Sequence, residues 1–228
     1  MMHVKFCGFT QLSDVQTAAQ LGADAVGLVF YPPSPRAVTL VQAKTLSASV
    51  PAFMSVVALV VNMHQDELIE LVNTVSFDII QFHGDETPEQ CQQLASSINK
   101  RWIKALRINA EQHTPDSVRA QIDKFAAAGA SSILLDAYHP AAYGGTGQRF
   151  DWNLIPQDSS LPIILAGGLD AENVAATLDL PIYAVDVSGG IEKDKGKKDA
   201  AKMRAFMKAV KRDRWQNATL SEPSNLSS

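Results

Sequence analysis

Residues 134–152 read LLDAYHPAAYGGTGQRFDW. The apolar run Ile133-Leu134-Leu135 ends in one carboxylate, Asp136, and a loop carrying Gly144, Gly145 and Gly147 follows before Gln148-Arg149. Continuous rather than alternating apolar character marks a strand buried on both faces. A lone acid at its end, followed by a glycine-bearing loop, reads as a strand delivering a carboxylate to the mouth of a site. The plainer reading makes Asp136 a turn or cap acid, and the rest of the chain weighs against it.

Outward from this stretch the same unit recurs. Apolar runs predict strands at residues 4–7, 25–30 (AVGLVF), 53–61, 78–82, 102–106, 132–135, 162–165 and 184–187. Helices are predicted between most of them. Ser13 with Gln16 starts one that stops at Gly22, Thr39 with Gln42 starts the next, and another runs from about 65 to 75. Thr87-Pro88 with Gln90 is a strong start, residues 118–128 end at Gly129, Asp170 caps a helix through Val174 and Leu178, and residues 199–212 form the last.

Eight strand–helix units in a chain of this length predict a single α/β domain, a (β/α)8 TIM barrel of eight parallel strands with outer helices, over residues 1–212. A polar tail, residues 213–228, is expected to be loose. A doubly wound open sheet is the other option, but no G-x-G-x-x-G follows the first strand.

The 228 residues carry a net charge of −4, which argues against a nucleic-acid or polybasic membrane surface. The start MMHVKFCGFT lacks the long apolar stretch of a signal peptide, and no apolar run approaches the ~20 residues that span a bilayer. The two cysteines, Cys7 at a strand end and Cys91 in a helix, are expected to be free thiols in a reducing compartment. A cytoplasmic protein, with a monomer favoured, is the expectation.

In a barrel of this kind the site lies at the C-terminal ends of the strands, with phosphate held after strands seven and eight. Gly167-Gly168 and Ser188-Gly189-Gly190 fall there, where glycine lets backbone N–H groups approach an anion closely. A phosphorylated small molecule is therefore the expected ligand. Cys7 is the last side chain before Gly8, and Lys5 shares its strand face, so an ammonium there would favour the thiolate. Arg36 follows a rigid Pro-Ser-Pro turn, and its planar fork suits a carboxylate. Gln81 and His83 share one face of the fourth strand, Asp186 faces the barrel from the eighth, and all three are read with Lys5 as lining the substrate pocket. Asp151 is read as a cap. No partner at metal-ligand spacing accompanies His83, so no metal is expected.

Taken together, VKFCGFT (4–10), GADAVGLVFYPPSPRAV (22–38), IIQFHGDE (79–86), the 134–152 stretch, LAGGLDAENV (165–174), VDVSGGIE (185–192) and GKKD (196–199) resemble the phosphoribosylanthranilate isomerase family of tryptophan biosynthesis. The resemblance implies a (β/α)8 barrel and an Amadori rearrangement of N-(5-phosphoribosyl)anthranilate without metal or organic cofactor. It places the general base on Cys7, the general acid on Asp136 and the anthranilate carboxylate on Arg36. It places the phosphate on Gly145 and Gly147, on Gly167-Gly168 and on Ser188-Gly189-Gly190. Ser188-Gly189-Gly190 stands where Ser-Ser-Gly is more usual, and Lys193-Asp194-Lys195 is more charged than expected. Two other functions stay open: another phosphosugar enzyme, for which Lys104 is the comparable strand lysine, and a non-catalytic phosphate-ligand binder.

Overall fold

Eight parallel strands close on themselves in sequence order: β1 (His3–Cys7), β2 (Ala25–Phe30), β3 (Ser55–Val60), β4 (Ile79–Phe82), β5 (Arg101–Ile108), β6 (Ser132–Ala137), β7 (Ile163–Leu165) and β8 (Ala184–Val187). The barrel is that of a computed structural model, which describes residues 2–109, 111–137 and 150–211. The helices are α1 (Leu12–Leu21), α2 (Leu40–Ala48), α3 (Gln65–Thr74), α4 (Pro88–Ser97), α5 (Pro115–Ala127) and α6 (Ala200–Lys211). Within the described residues, β6 and β7 are followed only by 3-10 turns, Trp152–Leu154 and Val174–Thr177. A short antiparallel hairpin, β9 (Glu192–Asp194) and β10 (Lys197–Lys198), follows β8. Among the described residues, no helix is long and apolar enough to cross a membrane.

The continuous apolar strands predicted from sequence serve two cores at once. Along β5, Trp102, Leu106 and Ile108 pack outward in the core beneath the helices, while Ile103 and Ala105 point into the barrel. The barrel interior joins those two to Val57, Leu134, Ile164, Ala166 and Ala184. Outside, Phe6 meets Phe206 of α6 edge to face, with ring centroids 5.9 Å apart. Lys104 has the outward parity, so it is not a candidate for imine chemistry inside the barrel. Its ammonium is buried against Glu86 at 2.6 Å and the carbonyl of Gly84 at 2.7 Å.

The helix starts follow the expected chemistry at Thr39 and Thr87, where both capping boxes form. Two expectations need correction. α1 begins at Leu12 with Gln11 as its uncapped N-terminal residue, so Ser13 lies inside the first turn. The segment after Asp170 is one turn rather than a helix to Leu178. Asp170 accepts from the amides of Glu172 and Asn173 at 2.9 and 3.0 Å, but the residue that heads the Val174–Thr177 turn is Asn173, whose side chain turns back to the Gly168 carbonyl at 2.9 Å. Pro181 follows closely and leaves no room to propagate.

The barrel closes where β8 meets β1, the one neighbouring pair that no single crossover connects. There Lys5 pairs in register with Asp186. α6 packs on α1, Lys211 reaches the Leu21 carbonyl at 3.0 Å, and Asp14 of α1 accepts from the Lys198 amide at 3.0 Å.

Candidate active site

At the C-terminal end of β1, Cys7 is buried with Val29 and Leu59. Its in-register neighbour is Gly27, where a Cβ would stand 2.6 Å from the Cys7 sulfur. Glycine at that point of an otherwise branched strand makes the space the thiol occupies. Sequence reading passed over Gly27, although a glycine inside AVGLVF is the signal for a close approach.

Lys5 lies one inward position below Cys7, and its ammonium sits 2.8 Å from Asp186 Oδ1 with both side chains buried. Burial pulls the Lys5 ammonium down, but the charges of Asp186 and Cys7 outweigh it and hold the group above its ordinary value. For Cys7 burial wins: it pushes the thiol up, against the pull of Lys5. Lys5 thus acts in the direction read from sequence, while desolvation of the sulfur, which needs the three-dimensional packing, sets the net sign. Asp186 lines the cavity described below and Lys5 does not, so of this pair only Asp186 faces that space.

Across the mouth, Asp136 follows the inward parity of Leu134 on β6. One of its oxygens accepts from the Ala137 amide at 2.9 Å, and the other lies 3.4 Å from His83 Nε2. His83 Nδ1 is 3.1 Å from Gln81 Nε2. With that amide nitrogen as donor, the imidazole proton sits on Nε2, the ring nitrogen nearer Asp136. Gln81 Oε1 and His83 Nε2 are buried and have no hydrogen-bond partner among the described residues. Buried polar atoms without partners are costly, and here both belong to the row that carries Asp136.

A cavity of about 440 Å³ opens beside these groups, walled by Gly167, Gly168, Ser188, Gly189, Gly190, Asp186, Arg36 and the β9–β10 hairpin. Gly167 has φ +85°, and a Cβ there would press on the Ala137 amide at 2.8 Å and on Asp136 Oδ1 at 3.2 Å. Only glycine satisfies both the left-handed backbone and the close approach. The structure therefore brings the glycine pairs of β7 and β8 together at one cavity. Gly145 and Gly147 lie outside the described residues.

Arg36 is buried, and its aliphatic stem crosses Gly8. Its Nε and Nη2 donate to the two oxygens of Glu192, each at 2.8 Å. Lys198 donates to the same carboxylate at 2.9 Å and to the Cys7 carbonyl at 2.5 Å. Burial favours the acid form of Glu192, but Arg36 and Lys198 hold it below its ordinary value. Neither Glu192 nor Lys198 was singled out from sequence. Asn62, just after β3, and Arg107, near the end of β5, are both tied to Asp85. The Asn62 side chain accepts from the Asp85 amide at 2.8 Å, and Arg107 pairs with Asp85. Asp151 caps the Trp152–Leu154 turn as expected, accepting from the Asn153 amide at 3.1 Å. Among the described residues, no three His, Cys, Asp or Glu cluster as metal ligands would.

Residues 4–209 match the family model described as N-(5'phosphoribosyl)anthranilate (PRA) isomerase. The chain belongs to this family. A phosphoribosylanthranilate isomerase of Pseudomonas putida is 50% identical over 208 residues, covering 91% of this chain and 96% of that one. The solved phosphoribosylanthranilate isomerase of Thermus thermophilus superposes with a TM-score of 0.81 at 29% identity, covering 93% of this chain and all of that one. Another, solved in complex with reduced 1-(o-carboxyphenylamino)-1-deoxyribulose 5-phosphate, superposes with a TM-score of 0.74 at 31% identity, covering 92% of this chain and 99% of that one. Relatives of this isomerase family thus share the whole barrel, and the mouth of that barrel is where Cys7, Asp136 and the glycine cavity meet.

Proposed function

We propose that the protein converts N-(5-phosphoribosyl)anthranilate into 1-(2-carboxyphenylamino)-1-deoxyribulose 5-phosphate in tryptophan biosynthesis, by general acid–base catalysis. The observation that carries this reading is the placement of one thiol and one carboxyl on opposite sides of a mouth whose β7–β8 side is a glycine-walled cavity of about 440 Å³.

The chemistry divides as follows. Asp136, protonated, gives its proton to the furanose ring oxygen while the substrate nitrogen pushes its lone pair toward C1, and the C1–O bond breaks. The His83 Nε2–H beside Asp136 supports the carboxylate left behind. The iminium acidifies the C2 proton, which the Cys7 thiolate removes. The enolamine then takes a proton at C1 and loses the one on the C2 hydroxyl, leaving the ketone. The substrate nitrogen is the electron sink throughout, so the steps balance without a metal or an organic cofactor. Lys5 is the counter-charge to the thiolate, held in place by Asp186. Arg36 receives the anthranilate carboxylate. The backbone amides around Gly167-Gly168 and Ser188-Gly189-Gly190 receive the phosphate.

The test follows anthranilate fluorescence on adding protein to phosphoribosylanthranilate generated in the cuvette. A rapid, protein-dependent loss that vanishes in Asp136→Asn is expected. No loss, with phosphate-ligand binding still seen by calorimetry, would overturn the catalytic reading in favour of a binding protein.

A further inference from the structure

Arg36 is gripped from behind by Glu192, and a carboxylate that takes a guanidinium bidentate would ordinarily neutralise it. Glu192 is shared, however. Lys198 donates to its Oε1 at 2.9 Å and turns its other protons to the carbonyls of Cys7 at 2.5 Å and Ser188 at 3.2 Å. Lys198 is 2% exposed, so its ammonium is saturated and cannot reach a ligand itself. Two cations on one carboxylate leave the cluster with a charge of +1. The guanidinium Nη1 has no partner among the described residues, and Arg36 lines the cavity.

We propose that Glu192 and Lys198 are positioning residues that turn Arg36 into a carboxylate receptor. Glu192 fixes the plane and reach of the guanidinium, and Lys198 cancels the charge of Glu192 so that the charge of Arg36 stays available to an anion. This rests on the reading of Arg36 as the partner of the substrate carboxylate. Without Glu192, Arg36 and Lys198 would face each other as like charges, with no acceptor between them, and Arg36 would swing away.

The experiment measures binding of two stable ligands by calorimetry: the reduced 1-(o-carboxyphenylamino)-1-deoxyribulose 5-phosphate and its phenylamino counterpart without the carboxylate. Glu192→Gln is expected to weaken the first about 10- to 100-fold, the scale of one charge-assisted hydrogen bond, and to leave the second within about threefold. Lys198→Met, which lowers the cluster charge to zero, is expected to weaken the same ligand selectively. Arg36→Ala should match Glu192→Gln, and the double variant should be no worse than Arg36→Ala alone.

Three results would overturn the proposal. Tighter binding of the carboxylated ligand by Glu192→Gln would make Glu192 a competitor for Arg36. Equal weakening of both ligands would make it a structural residue only. Unchanged binding would leave it no role. If Arg36→Ala itself fails to distinguish the two ligands, the reading of Arg36 fails instead.

Discussion

Gly27 sits beside Cys7 on the neighbouring strand, and replacing it with alanine tests how tightly the proposed base is placed. The added Cβ would stand 2.6 Å from the sulfur, about 0.8 Å inside the 3.4 Å at which ordinary contact begins. Turning the sulfur away gives little relief, because Cys7 Cα and Cβ lie only 3.2 and 3.3 Å from the same point. Either the thiol or the β1 backbone must therefore shift by most of an ångström. Overpacking of this kind costs roughly 1–3 kcal/mol, which lowers Tm by about 2–4 °C for each kcal/mol in a chain of this size. A displacement of about 1 Å at a reacting group costs on the order of 10²-fold in rate. Gly27→Ala is thus expected to lose about two orders of magnitude in kcat by the fluorescence assay while remaining folded by circular dichroism. Adding Cys7→Ala removes the closest clash but leaves Cα and Cβ in place, so it should recover only part of the lost Tm and none of the activity. A Gly27→Ala protein with kcat within twofold of the parent would refute the claim that the thiol is held at the position where it works.

The remaining predictions concern the base, the acid and an unrelated buried pair. Cys7→Ala and Asp136→Asn should each lower kcat at least ~10²-fold with ligand affinity largely kept, and wild-type turnover by both would end the acid–base assignment. Because burial raises the Cys7 pKa, the thiolate fraction and kcat/KM should climb as pH rises along the Cys7 limb of the profile. Lys5→Met removes the group that lowers that pKa, so the limb should move to higher pH; a limb that stays put or moves down contradicts the role of Lys5. Lys104→Met leaves Glu86 buried without its cation and should cost about 3–5 kcal/mol in urea unfolding with kcat unchanged. A stability loss under 1 kcal/mol would show that the pair does not behave as buried.

Much of the fold was legible because local chemistry and tertiary demand agree. AVGLVF at 25–30 and AVDV at 184–187 are strands with the predicted bounds, since an apolar run of that length can be satisfied only between two packed layers. Thr39 and Thr87 cap as read because their partners are three residues away. The failures are where the partner is distant or the pattern short. The β9–β10 hairpin has strands of three and two charged residues, with no periodicity to find. Glu192 and Lys198 acquire their role from Arg36 and Cys7, up to 191 positions away, so no window of sequence displays it. The sign of the Cys7 shift depends on how completely the Val29 and Leu59 walls exclude water, which neighbouring residues along the chain do not tell.

The closure between β1 and β8 has a temporal consequence. The side chain of Lys5 needs Asp186, the backbone of Cys7 is held by Lys198, and both partners arrive with the last quarter of the polypeptide. A chain emerging from the ribosome carries its thiol from the outset but has nothing to position it with until the final strand and hairpin dock against the first. Synthesis thus has a silent period, and activity should switch on in one step near the end of elongation rather than accumulate.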